Sequence, residues 1–427
     1  MAGSNATTLK QKVLRAGGWS LAGYGLSQII RFGSSLIMTR LLVPEMFGVM
    51  AIATMVTVIL GLLSDVGVHQ NIIQSKRGDD SAFLDTAWTV QIIRGGILWL
   101  LAVAVSAAIY FGNAAGLMPR DSVYANGVLP YVVAASAFSA VISGFQSTKL
   151  HIAYRRFEQR RRIEIELASQ IVSLLVMIVI GAATRSIWAL VTGGLVAALM
   201  TTILSHAWMT GHSNRLRWES EAVREVVHFG RWVFVSSAIG VFASRGDRLL
   251  LGAFVDSQVL GLFSIAALIV NSAQGVLSKL LTTVSLPAFS EIARTEPRRL
   301  REIYYKMRVP GDVALLFPAG FLFAAGQLVV DLLYDKRYAA AGGMLQILAL
   351  SLFTFRYLVA HQLYLAVGIP RYLAIVNIVR FASLYVLVPV MFHFGGTSAA
   401  IWGVALHDLA TVPFIYYFNA KLGVNDV

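Results

Sequence analysis

Twelve stretches of this sequence run for about 20 residues or more with few charges. An apolar run of that length is what an α-helix needs to cross the hydrocarbon core of a bilayer. The stretches fall at about 17–39, 46–67, 85–111, 123–147, 164–183, 186–208, 227–252, 258–286, 309–330, 338–366, 371–393 and 397–419. They are continuous rather than alternating, so they read as helices and not as barrel strands of about ten residues. The ninth carries Pro310, Gly311, Asp312 and Pro318 and is expected to be interrupted there. Composition narrows the class further. The chain is 57% apolar and 13% charged, with a mean hydropathy of +0.69, and soluble domains carry about twice that share of charge. A soluble globular protein, a disordered chain and a disulfide scaffold are thereby excluded. With no cysteine there is no disulfide, thiolate metal site or cysteine nucleophile, and the eight scattered histidines form no HExxH-type cluster. The polar start, Met1 to Arg15, lacks the layout of a cleaved signal peptide.

Lysine and arginine set the orientation, because they are retained in cytoplasmic loops. With a cytoplasmic N-terminus, 22 of the 35 basic residues fall in inner segments and 5 in outer loops, the rest lying within spans. Both termini are therefore expected in the cytoplasm, in a bacterial inner membrane. The same asymmetry accounts for the net charge of +13 without nucleic acid. The run from Arg155 to Arg162 reads as a topology anchor against anionic lipid. Outer loops reach at most about a dozen residues, which leaves no room for an external catalytic domain of the kind a polysaccharide polymerase or ligase would need.

Six spans per half make parallel repeats related by an axis normal to the membrane. Gly48-Val49-Met50-Ala51-Ile52-Ala53 opens the second span and Gly261-Leu262-Phe263-Ser264-Ile265-Ala266 opens the eighth. Arg31 and Arg245 precede these glycines by 17 and 16 residues. The expected architecture is an all-α polytopic membrane protein of about twelve helices. Residues 1–212 and 213–427 would form two six-helix lobes around a central cleft.

Several segments carry a family resemblance. The first span with Arg31, the link Leu41-Leu42-Val43-Pro44-Glu45-Met46-Phe47-Gly48 and the ending Asp65-Val66-Gly67 resemble the start of bacterial oligosaccharide flippases of the multidrug/oligosaccharidyl-lipid/polysaccharide exporter superfamily. Asp247-Arg248-Leu249-Leu250-Leu251-Gly252 adds to this. Leu333-Tyr334-Asp335-Lys336-Arg337-Tyr338 is similar to the family's Leu-Tyr-Gly-x-x-Trp segment, with Asp335 and Tyr338 in place of its Gly and Trp. The resemblance runs from about residue 15 to 420 and is strongest to the exopolysaccharide branch. It implies export of a polyprenyl-diphosphate-linked oligosaccharide from the inner to the outer leaflet. Many relatives have fourteen spans, so details of their last two helices do not transfer.

An arginine at mid-bilayer costs about 2.5–3.5 kcal/mol on insertion scales and should face a cavity or a partner. Eight cations are embedded: Arg31, Arg94, Arg231, Arg245, Arg248, Lys279, Arg356 and Arg380. By depth, Arg31, Arg94 and Arg380 lie near the middle. Each follows a carboxamide by three residues, namely Gln28, Gln91 and Asn377, and residues at i and i+3 share a helix face. An arginine fork beside an amide suits a phosphate oxygen next to a sugar hydroxyl. These six are the expected substrate-binding residues. The competing reading is that arginine and amide only tie helices together. Embedded acids are fewer, Asp247 and Asp408 with Asp312 near a span entry, so the cleft is expected to be electropositive, which fits a diphosphate and not a cationic drug. His407 and Asp408 are a candidate proton relay for coupling, set against a structural Arg380–Asp408 pair.

No glycine-rich segment has the strand-to-helix setting and Lys-Ser/Thr ending of a nucleotide loop. No cofactor or metal is expected. The chain is read as a transporter, not an enzyme: a flippase working by alternating access on a lipid-linked oligosaccharide within the bilayer, with a polysaccharide polymerase and export machinery as downstream partners. The alternatives are an ion-coupled multidrug exporter of the same superfamily and, further off, a membrane enzyme of polysaccharide synthesis.

Overall fold

A computed structural model describes residues 9–63, 68, 72, 75, 77–156, 158–224, 242 and 246–424. Among them there are helices and turns and no strand. Eleven of the twelve expected spans coincide with helix in the structure. The other, 227–252, lies largely outside the described residues, as do Arg231 and Arg245; its end, residues 246–252, is helical. By length and apolarity alone, eight described helices are long enough to cross a membrane, or nine when one bent pair is joined. The first helix falls outside that criterion, and the stretch Pro370–Lys421 counts once although it holds two spans. Phe317, Leu332 and Phe394 are 76%, 79% and 84% exposed. Side chains this apolar and this bare suit lipid, where helices close all backbone hydrogen bonds internally.

The chain forms two compact units. The first comprises Met1–Leu42, Ala53–Ala115 and Gly127–Ala238; the second comprises Val43–Ile52, Gly116–Asn126 and Ile239–Val427. The expected boundary at 212/213 falls inside the first unit. The reason is a polar fastening of the segment around it. The backbone N–H of Arg215 and the His212 ring both meet the Asp85 carboxylate, and the N–H of Arg217 donates to Thr89.

In the first unit, α1 (Leu9–Leu41) packs on α6 (Gln159–Thr184), α3 (Ser81–Ala114) on α4 (Leu129–Gly144), and α7 (Trp188–Ala207) on both α4 and α6. Capping sets where α3 begins. Asp80 accepts from the N–H of Ala82 with one carboxylate oxygen and pairs with Arg77 through the other. The Arg77 guanidinium holds the Asp80 carboxyl below its ordinary range. The expected span 123–147 holds the one α-helix α4; just beyond it, α5 (Lys149–Arg155) turns away at a bend of 69°. Between α1 and α6, Ser27 and Gln170 exchange hydrogen bonds.

The second unit contains the beginning of α2 (Pro44–Leu63), whose later residues belong to the first. Its long helices are α8 (Ser257–Thr295), α9 (Leu300–Leu333) and α13 (Pro370–Leu406). Shorter pieces are α10 (Ala341–Ala349), α11 (Ser351–Phe355), α12 (Leu358–Ala366) and α14 (Val412–Lys421). Asp256 caps α8 by accepting from the N–H of Val259 at 2.8 Å. Helix α9 runs unbroken through Pro310 and Pro318, against the expected interruption. Membrane helices tolerate proline where local adjustment and neighbouring groups take up the freed carbonyls; two residues after Pro310, Asp312 is held by both Arg308 and Arg356. Conversely, 338–366 reads as one span but is divided into three helices. There Ser351 and Thr354 turn their hydroxyls onto the carbonyls of Leu348 and Ser351, competing with the helical ladder. Gly396 has φ 64° and breaks α13, at the expected gap between the last two spans.

Candidate functional site

Each unit contains a polar chamber. In the first, α3 and α4 approach so closely that a Cβ on Gly95 would lie 2.5 Å from the carbonyl oxygen of Ala140. This proximity lets the Gln91 amide reach the end of α4. Its Nε2 donates to the carbonyls of Ser143, Gly144 and Gln146 at 3.2, 3.0 and 3.1 Å, while its Oε1 faces the His151 ring at 3.3 Å. Carbonyls in the last turn of a helix have no intrahelical donor, so Gln91 acts as their cap. One turn on, Arg94 Nη2 donates to the carbonyl of Gly61 at 2.5 Å, near the end of α2. The chamber of about 380 Å³ is lined by Val68, Gln91, Arg94, Gln146 and His151, among others. Among its described lining residues there is one arginine and no carboxylate.

The second chamber, about 330 Å³, is lined by residues from 247–248, α8, α10, α11, α13 and the turn after α13. Arg380 Nε meets Asp408 Oδ1 at 2.5 Å, so the structural pair expected from the sequence is formed. His407 Nδ1 lies 2.6 Å from the carbonyl of Val404, which can only accept, so that nitrogen carries the proton. Its Nε2 then points at Asp408 from 3.7 Å. Asp247 and Arg248 face the same space, together with Asn271, Gln274 and Ser351. Two arginines thus stand against two aspartates in the described lining. Both embedded acids singled out in the sequence, Asp247 and Asp408, gather here.

The six expected binding residues are therefore distributed. Gln91 and Arg94 share the first chamber, and both follow the helix-tying reading through their carbonyl partners. Arg380 lines the second, whereas Asn377, half-buried one turn earlier, does not. On α1, Arg31 is exposed and Gln28 half-buried; neither lines either chamber. Several lining groups were missed by the sequence reading: Gln146, His151, Asn271, Gln274 and Ser351. The signal for two of them was present. Asn271 and Gln274 stand at i and i+3, the spacing used to select the arginine pairs, but a search keyed to arginine passes over them.

Comparison with known proteins fits this architecture. The sequence profile of a family described as polysaccharide biosynthesis protein matches residues 37–342. A curated relative from Klebsiella pneumoniae, described as an uncharacterized membrane protein in the cps region, is 22% identical over 303 residues. That match spans 70% of this chain and 60% of the relative, so the chain corresponds to less than two thirds of its length. Among solved structures, an inward-facing multidrug resistance MATE family transporter of the MOP superfamily superposes with a TM-score of 0.70 at 12% identity, covering 94% of both chains. The lipid II flippase MurJ in an inward closed conformation gives a TM-score of 0.69 at 13% identity, covering 94% of this chain and 87% of that one. The chain thus shares the fold of these two solved structures, as a multi-pass membrane protein, and the extent of the profile match places it in the polysaccharide biosynthesis protein family.

Proposed function

We propose that this protein is a flippase that carries a polyprenyl-diphosphate-linked oligosaccharide from the inner to the outer leaflet of a bacterial inner membrane, with both termini cytoplasmic. The observation that carries the reading is Arg94. An arginine in a membrane-embedded helix faces a polar chamber beside Gln146 and His151, in a chain of the polysaccharide biosynthesis family. Moving a sugar diphosphate through hydrocarbon is prohibitive, because its polar groups lose water without replacement. A chamber with fixed donors replaces that water, and a guanidinium also meets the phosphate charge in a planar fork. In this reading Arg94 and the exposed Arg31 engage the diphosphate. Gln91 positions the chamber wall. Gln28, Asn377 and Arg380 lie on the substrate's route, and Asp408 with His407 is the place where a coupling proton would act. A polymerase and export machinery would consume the delivered lipid. The multidrug-exporter alternative draws support from the MATE fold match alone.

The test is transport by the full chain in reconstituted vesicles. Arg94→Gln removes the charge, and its shorter side chain gives up the contact with the Gly61 carbonyl. It should lower flipping of a polyprenyl-diphosphate-linked sugar by about tenfold or more, the cost of losing one charge-assisted contact, in protein that still folds. Arg94→Lys should retain part of the rate, because the charge stays while the fork is lost. The same sugar on an uncharged polyprenyl lipid should compete poorly. Equal competition by the two lipids, or tighter binding of a cationic drug, would overturn the assignment.

A further inference from the structure

The second chamber has a chemistry of its own. Arg380 is engaged by Asp408, and in the described lining the remaining charges, Asp247 and Arg248, are one of each sign. A surround balanced in this way gives a diphosphate no net attraction. Nor does it suit a divalent metal, since the described residues contain no group of three or more His, Asp or Glu placed to hold one. What remains in the lining is uncharged and two-sided in hydrogen bonding. Asn271 and Gln274 lie on one face of α8, each with an amide that donates and a carbonyl that accepts. Among the described residues the Asn271 carboxamide has no hydrogen bond, and that of Gln274 has one long contact, 3.4 Å from Nε2 to Ser351 Oγ. Ser351 Oγ itself donates to the carbonyl of Leu348, which leaves its lone pairs to accept. Phe263 and Phe355 add apolar ring surface to the same wall.

Amides that both give and accept, a hydroxyl and aromatic faces are the complement of a sugar, whose hydroxyls do the same and whose C–H faces are apolar. The volume of about 330 Å³ is within the range of small-molecule pockets, about 300–1,000 Å³. We propose that this chamber of the second unit is a subsite for uncharged sugar residues of the cargo, with Asn271, Gln274 and Ser351 as the groups that read their hydroxyls. The assignment rests on the flippase reading and deepens it by giving the second unit a part in recognising the glycan.

Binding to the full chain in lipid nanodiscs separates the two claims. The probes are a polyprenol, the matching polyprenyl diphosphate, and that diphosphate bearing one neutral hexose. Wild-type protein should prefer both diphosphates to the polyprenol, and should bind the hexosylated lipid more tightly than the bare one. The double substitution Asn271→Ala with Gln274→Ala should leave affinity for bare diphosphate unchanged within about twofold. It should erase the gain from the hexose, about five- to tenfold for two hydrogen bonds. Ser351→Ala should give a smaller loss of the same kind. If the wild type fails to prefer diphosphate over polyprenol, the flippase reading falls and the subsite with it. If the wild type prefers diphosphate but the double variant weakens both diphosphate lipids equally, or neither, the subsite alone is wrong. An unaltered hexose preference with a changed sodium or proton dependence would likewise overturn it, in favour of an ion site.

Discussion

Arg380 and Asp408 show how one residue's role depends on its partner. An unpaired arginine at this depth would be a functional site by default, whereas a guanidinium joined to a carboxylate at 2.5 Å is also a strut. The ring of His407 is pinned by its own turn, and Ser383 donates to the His407 carbonyl at 2.6 Å, so the turn after α13 is built around the pair. Removing one partner leaves the other charge poorly solvated, which costs more than removing both. Asp408→Asn and Arg380→Gln should therefore each destabilise the protein by about 2–4 kcal/mol. The double variant should fall short of their sum by about 1–3 kcal/mol, as contacting residues do. Thermal unfolding of the four proteins in one detergent checks this; strict additivity would mean that the two side chains are independent. The pair was legible in the sequence because it combined two rare features, an embedded acid and an embedded base. The carbonyl contacts of Gln91 and Arg94 were not legible, since any helix end offers the same acceptors.

At the scale of elements, glycine placement decides which helices touch. Gly48 of α2 and Gly261 of α8 cross at van der Waals distance of backbone from backbone. A Cβ on Gly48 would fall 2.0 Å from the carbonyl oxygen of Ser257, and one on Gly261 1.8 Å from that of Pro44. Each glycine thus meets the residue four before the other, at the first position of each helix. The repeated Gly-x-x-small-Ile-Ala pattern is the sequence trace of this reciprocal crossing. Breaks were harder to read than helices. The three-way division of 341–366 arises at side-chain hydroxyls that hydropathy ignores, and α9 carries Pro310 and Pro318 without a break. The pair Gly95 and Gly96 gives a sharp test. A Cβ on Gly95 would fall 2.5 Å from the carbonyl oxygen of Ala140, while one on Gly96 meets nothing within 4 Å. Gly95→Ala should destabilise by about 1–3 kcal/mol, the usual range for overpacking. Gly96→Ala should be neutral or stabilise by up to about 1 kcal/mol through helix propensity. Similar losses at both positions would mean that the α3–α4 approach is looser than described.

For the whole molecule, sidedness comes from the charge of the loops. The argument rests on 22 basic residues set against 5 in the two classes of loop, and on retention of lysine and arginine at the cytoplasmic face. The run from Arg155 to Arg162, across the start of α6, is the densest, and in it Arg160 and Arg161 both pair with Glu164 while remaining exposed. Exposed cations next to a span are attracted to anionic headgroups by about 1 kcal/mol each, so this loop should resist translocation most strongly. The connection after α3 has the opposite character: Leu117 is 76% exposed and the loop holds the single base Arg120. Since the chain has no cysteine, one introduced thiol reports on one place without background. In intact cells a membrane-impermeant maleimide should label Leu117→Cys and leave Glu158→Cys, also at an exposed position, unlabelled until the membrane is permeabilised. Labelling of Glu158→Cys alone from outside would invert the topology. The diphosphate-bearing cargo would then have to be loaded from the opposite leaflet, and the proposed direction of transport would fail with it.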